Sequence, residues 1–237
     1  MPSIAFFGAT GGSTISCLAP ALQAGYHCTA LARSPTKLTN TLAQRGLPQS
    51  TIRDNLSIIS GTVTDLHASH VDIIISGIGG KLLFDGPLKL NPTLDNPTIC
   101  QDAVRTILTA AREVADSSSS SEASSSSGAG NDGNKPTLIV LSTTGISDKR
   151  DLPFAMMPLY YWMLKVPHED KKVMEALIRD EMAKPVEGGG VGGYVIVRPN
   201  LLTEGDGDGL EKVRVGGGGG SGCWVCDCEG GCGEVGF

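Results

Sequence analysis

The stretch Ile4-Ala5-Phe6-Phe7-Gly8-Ala9-Thr10-Gly11-Gly12-Ser13-Thr14 decides how the chain is read. Four apolar residues run without interruption into a glycine-rich turn, the pattern of a buried strand that ends abruptly. Ile15, Leu18, Ala19 and Leu22 follow at the i, i+3, i+4, i+7 spacing of one helix face, and Cys28-Thr29-Ala30-Leu31-Ala32 reads as a second strand. The whole is a β-α-β unit. In such a unit Gly8 permits the tight exit from the strand. Gly11 lets the backbone approach a pyrophosphate whose charge rests on the following helix N-terminus. The stretch is therefore a dinucleotide-binding fingerprint, with Gly8, Thr10, Gly11, Gly12, Ser13 and Thr14 as candidate contacts. Pro20 removes a backbone donor from the helix and is expected to bend it.

The end of the second strand bears on which dinucleotide binds. NAD-selective sites place Asp or Glu there to accept hydrogen bonds from the ribose 2′-hydroxyl. This chain places Arg33 there, in the run Leu31-Ala32-Arg33-Ser34-Pro35-Thr36-Lys37. A guanidinium fork, a hydroxyl and an ammonium suit a 2′-phosphate, so NADP is expected in preference to NAD, with Arg33 and Lys37 as its contacts. The alternative is that both are solvated loop cations, as most charged residues are.

The spacing G-x-x-G-x-x-T over Gly8, Gly11 and Thr14 resembles the atypical short-chain dehydrogenase/reductase superfamily and its NmrA-like branch. It differs from the G-x-G-x-x-G of dehydrogenases with a separate cofactor domain. Many members of that superfamily carry a third glycine where this chain has Thr14, so helix and strand are expected to pack slightly further apart, with the hydroxyl in reach of a phosphate. The resemblance covers about residues 1 to 210 and is specific over the first 33. It implies an NAD(P)-binding Rossmann fold, an α/β doubly wound parallel sheet.

Further strands fit that sheet. Leu56-Ser57-Ile58-Ile59-Ser60-Gly61 is followed by Asp65, which the resemblance places near the adenine. Val71 to Gly80 is almost continuously apolar before it turns to glycine, as expected of a parallel strand covered on both faces, and its end at Ser76 and Gly77 should pass near the cofactor ribose. A polar, proline-punctuated link, residues 81–97, leads to a helix from about Thr98 with Ile99, Ala103, Ile107, Ala111 and Val114 on one face. Residues 117–134 are rich in serine and glycine and too poor in apolar groups to order themselves, so they read as a disordered insertion. Thr137 to Thr144 is the fifth strand. In the helix that begins at His168, Val173, Met174, Leu177 and Ile178 should face the core, and Tyr194 to Asn200 is the sixth strand. The ending Val197-Arg198-Pro199, then Leu201 to Gly205, also resembles the NmrA-like branch, where this loop lines the substrate side.

Ligands in open α/β sheets bind beyond the carboxyl ends of the strands, and Ser142 stands at that end of strand five. The resemblance implies that a serine there polarises the substrate carbonyl while a Tyr and Lys in Y-x-x-x-K supply the proton and hold the nicotinamide ribose. Two candidates compete. Tyr161 and Lys165 match the spacing literally, but within an apolar run broken by Pro153, Pro158 and Pro167 that also reads as a packed flap. His168 and Lys172 stand at the start of the expected helix and resemble the H-x-x-x-K arrangement of NmrA-like proteins. A histidine there can donate a proton near neutral pH, and Lys172 can bind the ribose hydroxyls without any reduction. Both also read as ordinary polar residues opening a helix.

The remaining composition bounds the function. At 237 residues and 40% hydrophobic content the chain can bury one sizeable core, and a single domain over residues 1–210 is expected. A net charge of −6 without clustered cations argues against a nucleic-acid partner. No apolar stretch approaches the roughly 20 residues of a membrane span, and the N-terminus lacks a basic segment with a long apolar run, so a cytoplasmic protein is expected. Cys17, Cys28 and Cys100 fall in helix or strand segments and read as buried small hydrophobes. The tail, residues 211–237, is low in complexity and holds Cys223, Cys226, Cys228 and Cys232, whose spacing is not a standard zinc ribbon, so no metal site is assigned. It also reads as a truncated or misread end, since members of the resembled branch continue with another strand and helix.

Three functions are consistent with this sequence. The first is an NADP-dependent oxidoreductase acting on a small carbonyl or related substrate. The second is a non-catalytic NADP(H) sensor that reports redox state to a regulatory protein partner, as the NmrA-like resemblance implies. The third is a metal-binding tail on a cofactor-free scaffold.

Overall fold

The computed structural model describes residues 1–61, 71–85, 91–121, 135–146, 162–185, 189–199, 213–218 and 222–227. In chain order the elements are β1 (Ser3–Phe7), α1 (Gly12–Gln23), β2 (His27–Ala32), α2 (Pro35–Gln44), α3 (Gln49–Asn55), β3 (Leu56–Ser60) and β4 (Ile73–Ser76). There follow β5 (Leu82–Asp85), β6 (Asn91–Leu94), α4 (Ile99–Ser121), β7 (Thr137–Leu141), α5 (Lys165–Met182), β8 (Gly193–Val197), β9 (Val213–Gly218) and β10 (Gly222–Asp227). Contacts divide the chain into two compact units interleaved along the sequence. One comprises Met1–Gly77, Arg105–Val140 and Arg179–Val195, and the other Ile78–Val104, Leu141–Ile178 and Ile196–Phe237.

The six-stranded sheet runs in the order β3-β2-β1-β4-β7-β8. The ladders that join β3 to β2, β2 to β1, β1 to β4 and β4 to β7 are parallel, with Ile4 opposite both Cys28 and Ile73. Strand order reverses between β1 and β4. This is the doubly wound Rossmann arrangement, and its ligand crevice opens where β1 and β4 end side by side. Ile4 to Phe7 are all buried, which is why the apolar run at the N-terminus becomes a central strand. Ile15, Leu18, Ala19 and Leu22 of α1 pack into the same core with Leu38 and Leu42 of α2, Leu47, and Ile52 of α3. Each fully buried leucine or isoleucine contributes about 1.5–3 kcal/mol, so these contacts fix α1 on the sheet. Pro20 lies inside α1 but on its exposed side, where a missing donor leaves nothing unpaired in the core.

Three expectations need amendment. The link at residues 81–97 contains a hairpin, β5 with β6, in which Leu82 pairs with Leu94. Asp95 closes its base, donating its N–H to the Lys81 carbonyl at 3.0 Å and accepting from the Lys81 N–H at 2.7 Å. The tail likewise contains a hairpin, β9 with β10, in which Gly216 lies opposite Trp224. Ladder pairing asks only for backbone groups, so a glycine-rich strand can take part. α4 continues through Ser121, five residues into the stretch read as disordered, and residues 122–134 lie outside the described residues.

α5 departs further. Val173 is 39% exposed, whereas Met174 and Ile178 are buried as expected. The buried positions of the helix are completed by His168, Asp170, Glu175 and Glu181. A buried carboxylate is costly unless it is paired, and each of these three is. Asp170 accepts the Cys100 and Gln101 N–H groups at the start of α4, at 2.9 and 3.0 Å. Glu181 accepts Arg112 Nε at 2.8 Å, Arg112 Nη2, Lys184 Nζ at 2.8 Å and the Gly190 N–H at 2.9 Å, and these donors hold its carboxyl down at about 2. Glu175 is described with the site below.

Candidate functional site

In the first unit the glycine turn has the geometry its sequence demands. Gly8 has φ +74°, a left-handed conformation that favours glycine. The Gly11 N–H donates to the Gly8 carbonyl at 2.8 Å, and a Cβ on Gly11 would lie 3.2 Å from that oxygen. Gly11 then caps α1 with extended backbone, and the first turn of α1 holds no acidic residue. Thr10, Gly11 and Gly12 are exposed and Ser13 is half-buried. A Cβ on Gly12 would meet nothing within 4 Å. The turn is thus an open cradle of backbone N–H groups at a helix N-terminus, and it fits a pyrophosphate.

Thr14 explains the missing third glycine. It is buried, and a Cβ on Gly77 would fall 2.0 Å from its Oγ1 and 3.3 Å from its Cβ. Gly77 follows β4 and donates its N–H to the Phe7 carbonyl at 3.0 Å. The glycine that allows α1 to approach the sheet has therefore moved to the other side of the contact. The Thr14 hydroxyl faces Gly77 and not the open side of the turn. Ser76 is buried at the end of β4.

Beyond β2, Arg33, Ser34, Thr36 and Lys37 are exposed around the start of α2. Ser34 is the N-cap, Pro35 takes the first helical position, and the first turn again lacks an acid. A second anion-favouring helix start thus carries two cations. Asp65 lies outside the described residues.

In the second unit, Ser142 follows β7 and is 5% exposed. Its N–H donates to the Val197 carbonyl at 2.7 Å, and its hydroxyl donates to Glu175 Oε1 at 2.6 Å. Glu175 also accepts Arg198 Nε at 2.7 Å and Arg198 Nη2. A carboxylate engaged by a guanidinium is a strong acceptor, so the proton of Ser142 is committed to it. Lys165 is exposed at the first residue of α5, and Tyr161 lies outside the described residues. His168 is buried one turn further on, and Lys172 is exposed. Its neighbour Lys171 is half-buried and donates to the Leu141 carbonyl, the last residue of β7.

The residues that sequence reasoning missed are thus Lys171, Glu175 and Arg198. Arg198 was legible only as part of a V-R-P ending, and Lys171 only as one of two adjacent lysines. Lys171, Asp170 and Cys100 further line a pocket of about 240 Å³ between α5, the start of α4 and the β5–β6 hairpin. Burial pushes the Cys100 thiol up to about 11 despite the nearby ammonium of Lys171. Among the described residues no group of three or more His, Cys, Asp or Glu is placed to hold a metal ion. Among them too, no helix is long and apolar enough to cross a membrane.

No protein-family model matches the chain. It is 58% identical to reductase pytE of Aspergillus terreus over 231 residues, covering 91% of this chain and 82% of that protein. It is 36% identical to oxidase pynE of Aspergillus niger over 247 residues, covering 91% and 84%. Among solved structures the anaerobillin reductase ChuY of Escherichia coli O157:H7 superposes with TM-score 0.56 at 18% identity, over 94% of this chain and 84% of that one. ElxO with NADP bound superposes with TM-score 0.52 at 14% identity, over 86% and 75%. The structural likenesses carry the fold, and the sequence match to the two fungal proteins carries the kinship: the chain belongs to the atypical short-chain dehydrogenase/reductase family, with its NAD(P)-binding Rossmann fold.

Proposed function

We propose that the protein is an NADP-dependent oxidoreductase acting on a small carbonyl or related substrate. The observation that carries this reading is the pair of acid-free helix starts. The α1 start presents the glycine cradle, and the α2 start presents Arg33 and Lys37 where an NAD-selective site would hold a carboxylate. Thr10, Gly12 and Ser13 would hold the pyrophosphate through backbone N–H groups, on a turn shaped by Gly8 and Gly11, and Arg33 with Lys37 would hold the 2′-phosphate. When bound, the reduced nicotinamide supplies a hydride. The names reductase and oxidase given to the two fungal relatives support a redox enzyme.

One observation favours a non-catalytic NADP(H) sensor that acts through a protein partner. The Ser142 hydroxyl is committed to Glu175, so it can polarise a carbonyl only by leaving that bond. Turnover separates the two. On the enzyme reading, purified protein consumes NADPH when a panel of small aldehydes and ketones is added. On the sensor reading it binds NADPH and consumes none.

A further inference from the structure

We infer that the pocket in the second unit binds a small, mostly apolar molecule carrying one oxygen acceptor, a ketone or aldehyde, with that oxygen on the Lys171 ammonium. That this molecule is the substrate rests on the oxidoreductase reading; that it binds does not.

The walls set the body of the ligand. Leu82 and Leu94 of the hairpin line the pocket together with Leu164 and Pro167, and Gly79 and Gly80 supply backbone without side chains. A polyol or sugar would leave hydroxyls unpaired against these walls. An engineered apolar cavity of roughly 150 Å³ takes benzene, so about 240 Å³ accommodates a ligand of about ten non-hydrogen atoms.

The polar groups set the single oxygen. Both carboxylate oxygens of Asp170 are already engaged by the α4 N–H groups of Cys100 and Gln101. The Cys100 thiol donates to the Ile78 carbonyl at 3.4 Å. Lys171 has three N–H donors; one goes to the Leu141 carbonyl and one to the Cys100 sulfur, so one remains for a ligand. The pocket therefore offers a donor to its ligand, and a cationic one. Asp170 and Lys171 both line the pocket, so any charged ligand meets a like charge, whereas a neutral carbonyl oxygen accepts from Lys171 without one. The carboxylate clasp on α4 also fixes this end of α5, and with it the residue next to Asp170.

The test is ligand-observed NMR on the full chain with two probes of matched shape, benzylacetone and the hydrocarbon isopentylbenzene. The expected result is saturable binding of both, with the ketone tighter by roughly tenfold, the gain of one hydrogen bond to a charged donor. Lys171→Met should erase that preference. Leu82→Trp, which fills the pocket from the hairpin, should abolish binding of both and keeps the proposal testable should Lys171→Met fail to fold. Equal affinity for the two probes, no saturable binding of either, or undiminished binding in Leu82→Trp would overturn the inference. NADPH stabilisation of the wild-type chain is measured alongside. Its loss would remove the oxidoreductase reading while leaving the ketone result to stand or fall by itself.

Discussion

Replacing Gly77 by alanine probes the contact that stands in for the third glycine of the fingerprint. The new methyl would sit 2.0 Å from Thr14 Oγ1 and 3.3 Å from Thr14 Cβ. Rotation of χ1 can carry the hydroxyl away, but Cβ does not move with it, so the approach of the two β-carbons must be relieved by backbone displacement. Overpacking of this kind costs about 1–3 kcal/mol. For a chain of this size each kcal/mol moves the melting temperature by about 2–4 °C, so Gly77→Ala should melt about 2–12 °C below the wild type. Thr14→Gly alone should cost about 1 kcal/mol, because glycine is a poor helix former even in a first turn. The double variant removes the Thr14 side chain that the new methyl would otherwise meet. It should therefore be no less stable than Thr14→Gly, in place of the sum of the two losses. Thermal melts followed by circular dichroism, without ligand, read all three. A Gly77→Ala protein that melts with the wild type, or two effects that add to within about 0.5 kcal/mol, would refute the reasoning.

Other consequences follow from the buried charges and thiols. Glu181→Gln leaves Arg112 with a weaker acceptor and should cost about 1.5–3 kcal/mol at neutral pH by urea unfolding. The Glu181 carboxyl is held at about 2, below its ordinary 4.5, so its contribution is full above the unfolded value and is lost as pH falls through the folded one. Wild type and variant should therefore converge in stability between about pH 4.5 and 2, and a constant gap across that window would count against the ion pair. Asp170→Ala uncovers two N–H groups at the start of α4 and should cost about 2 kcal/mol, with Asp170→Asn intermediate; equal melts for all three proteins would show that the clasp adds nothing. Burial raises the thiols of Cys28 and Cys100 to about 12 and about 11, so iodoacetamide at pH 8 should label Cys28, in the sheet core, only in denaturant, and Cys100, on the pocket wall, only slowly in the native protein. Rapid labelling of either in the native protein, read by peptide mapping, would contradict their placement.

The first three strands and α1 were legible because their signal is local. Apolar runs and a 3.6-residue period depend on neighbours in sequence, and every residue of the α1 face that the period marks is buried. What escaped depends on partners far away in the chain. The period of α5 assigned Val173 to the core, yet the buried positions include Glu175 and Glu181, which burial tolerates only because Arg198 and Arg112 arrive from other elements. The choice between Lys171 and Lys172 turns on which of two adjacent residues meets the Leu141 carbonyl, a matter of helix phase that no motif records. Thr14 looked like a loosened helix contact because its complement, Gly77, lies 63 residues on. The hairpin of β5 and β6 was hidden by its prolines and by strands only four residues long.

The account stands most directly on the two helix starts as an NADP site. A thermal-shift titration of the purified chain with NADPH and NADH in parallel, repeated with Arg33→Ala, measures it, because a ligand that binds only the folded state raises the melting temperature. The account predicts a larger stabilisation by NADPH than by NADH in the wild type, with the difference abolished in Arg33→Ala and the NADH response retained. Equal responses to the two nucleotides, or no response to either, would contradict it.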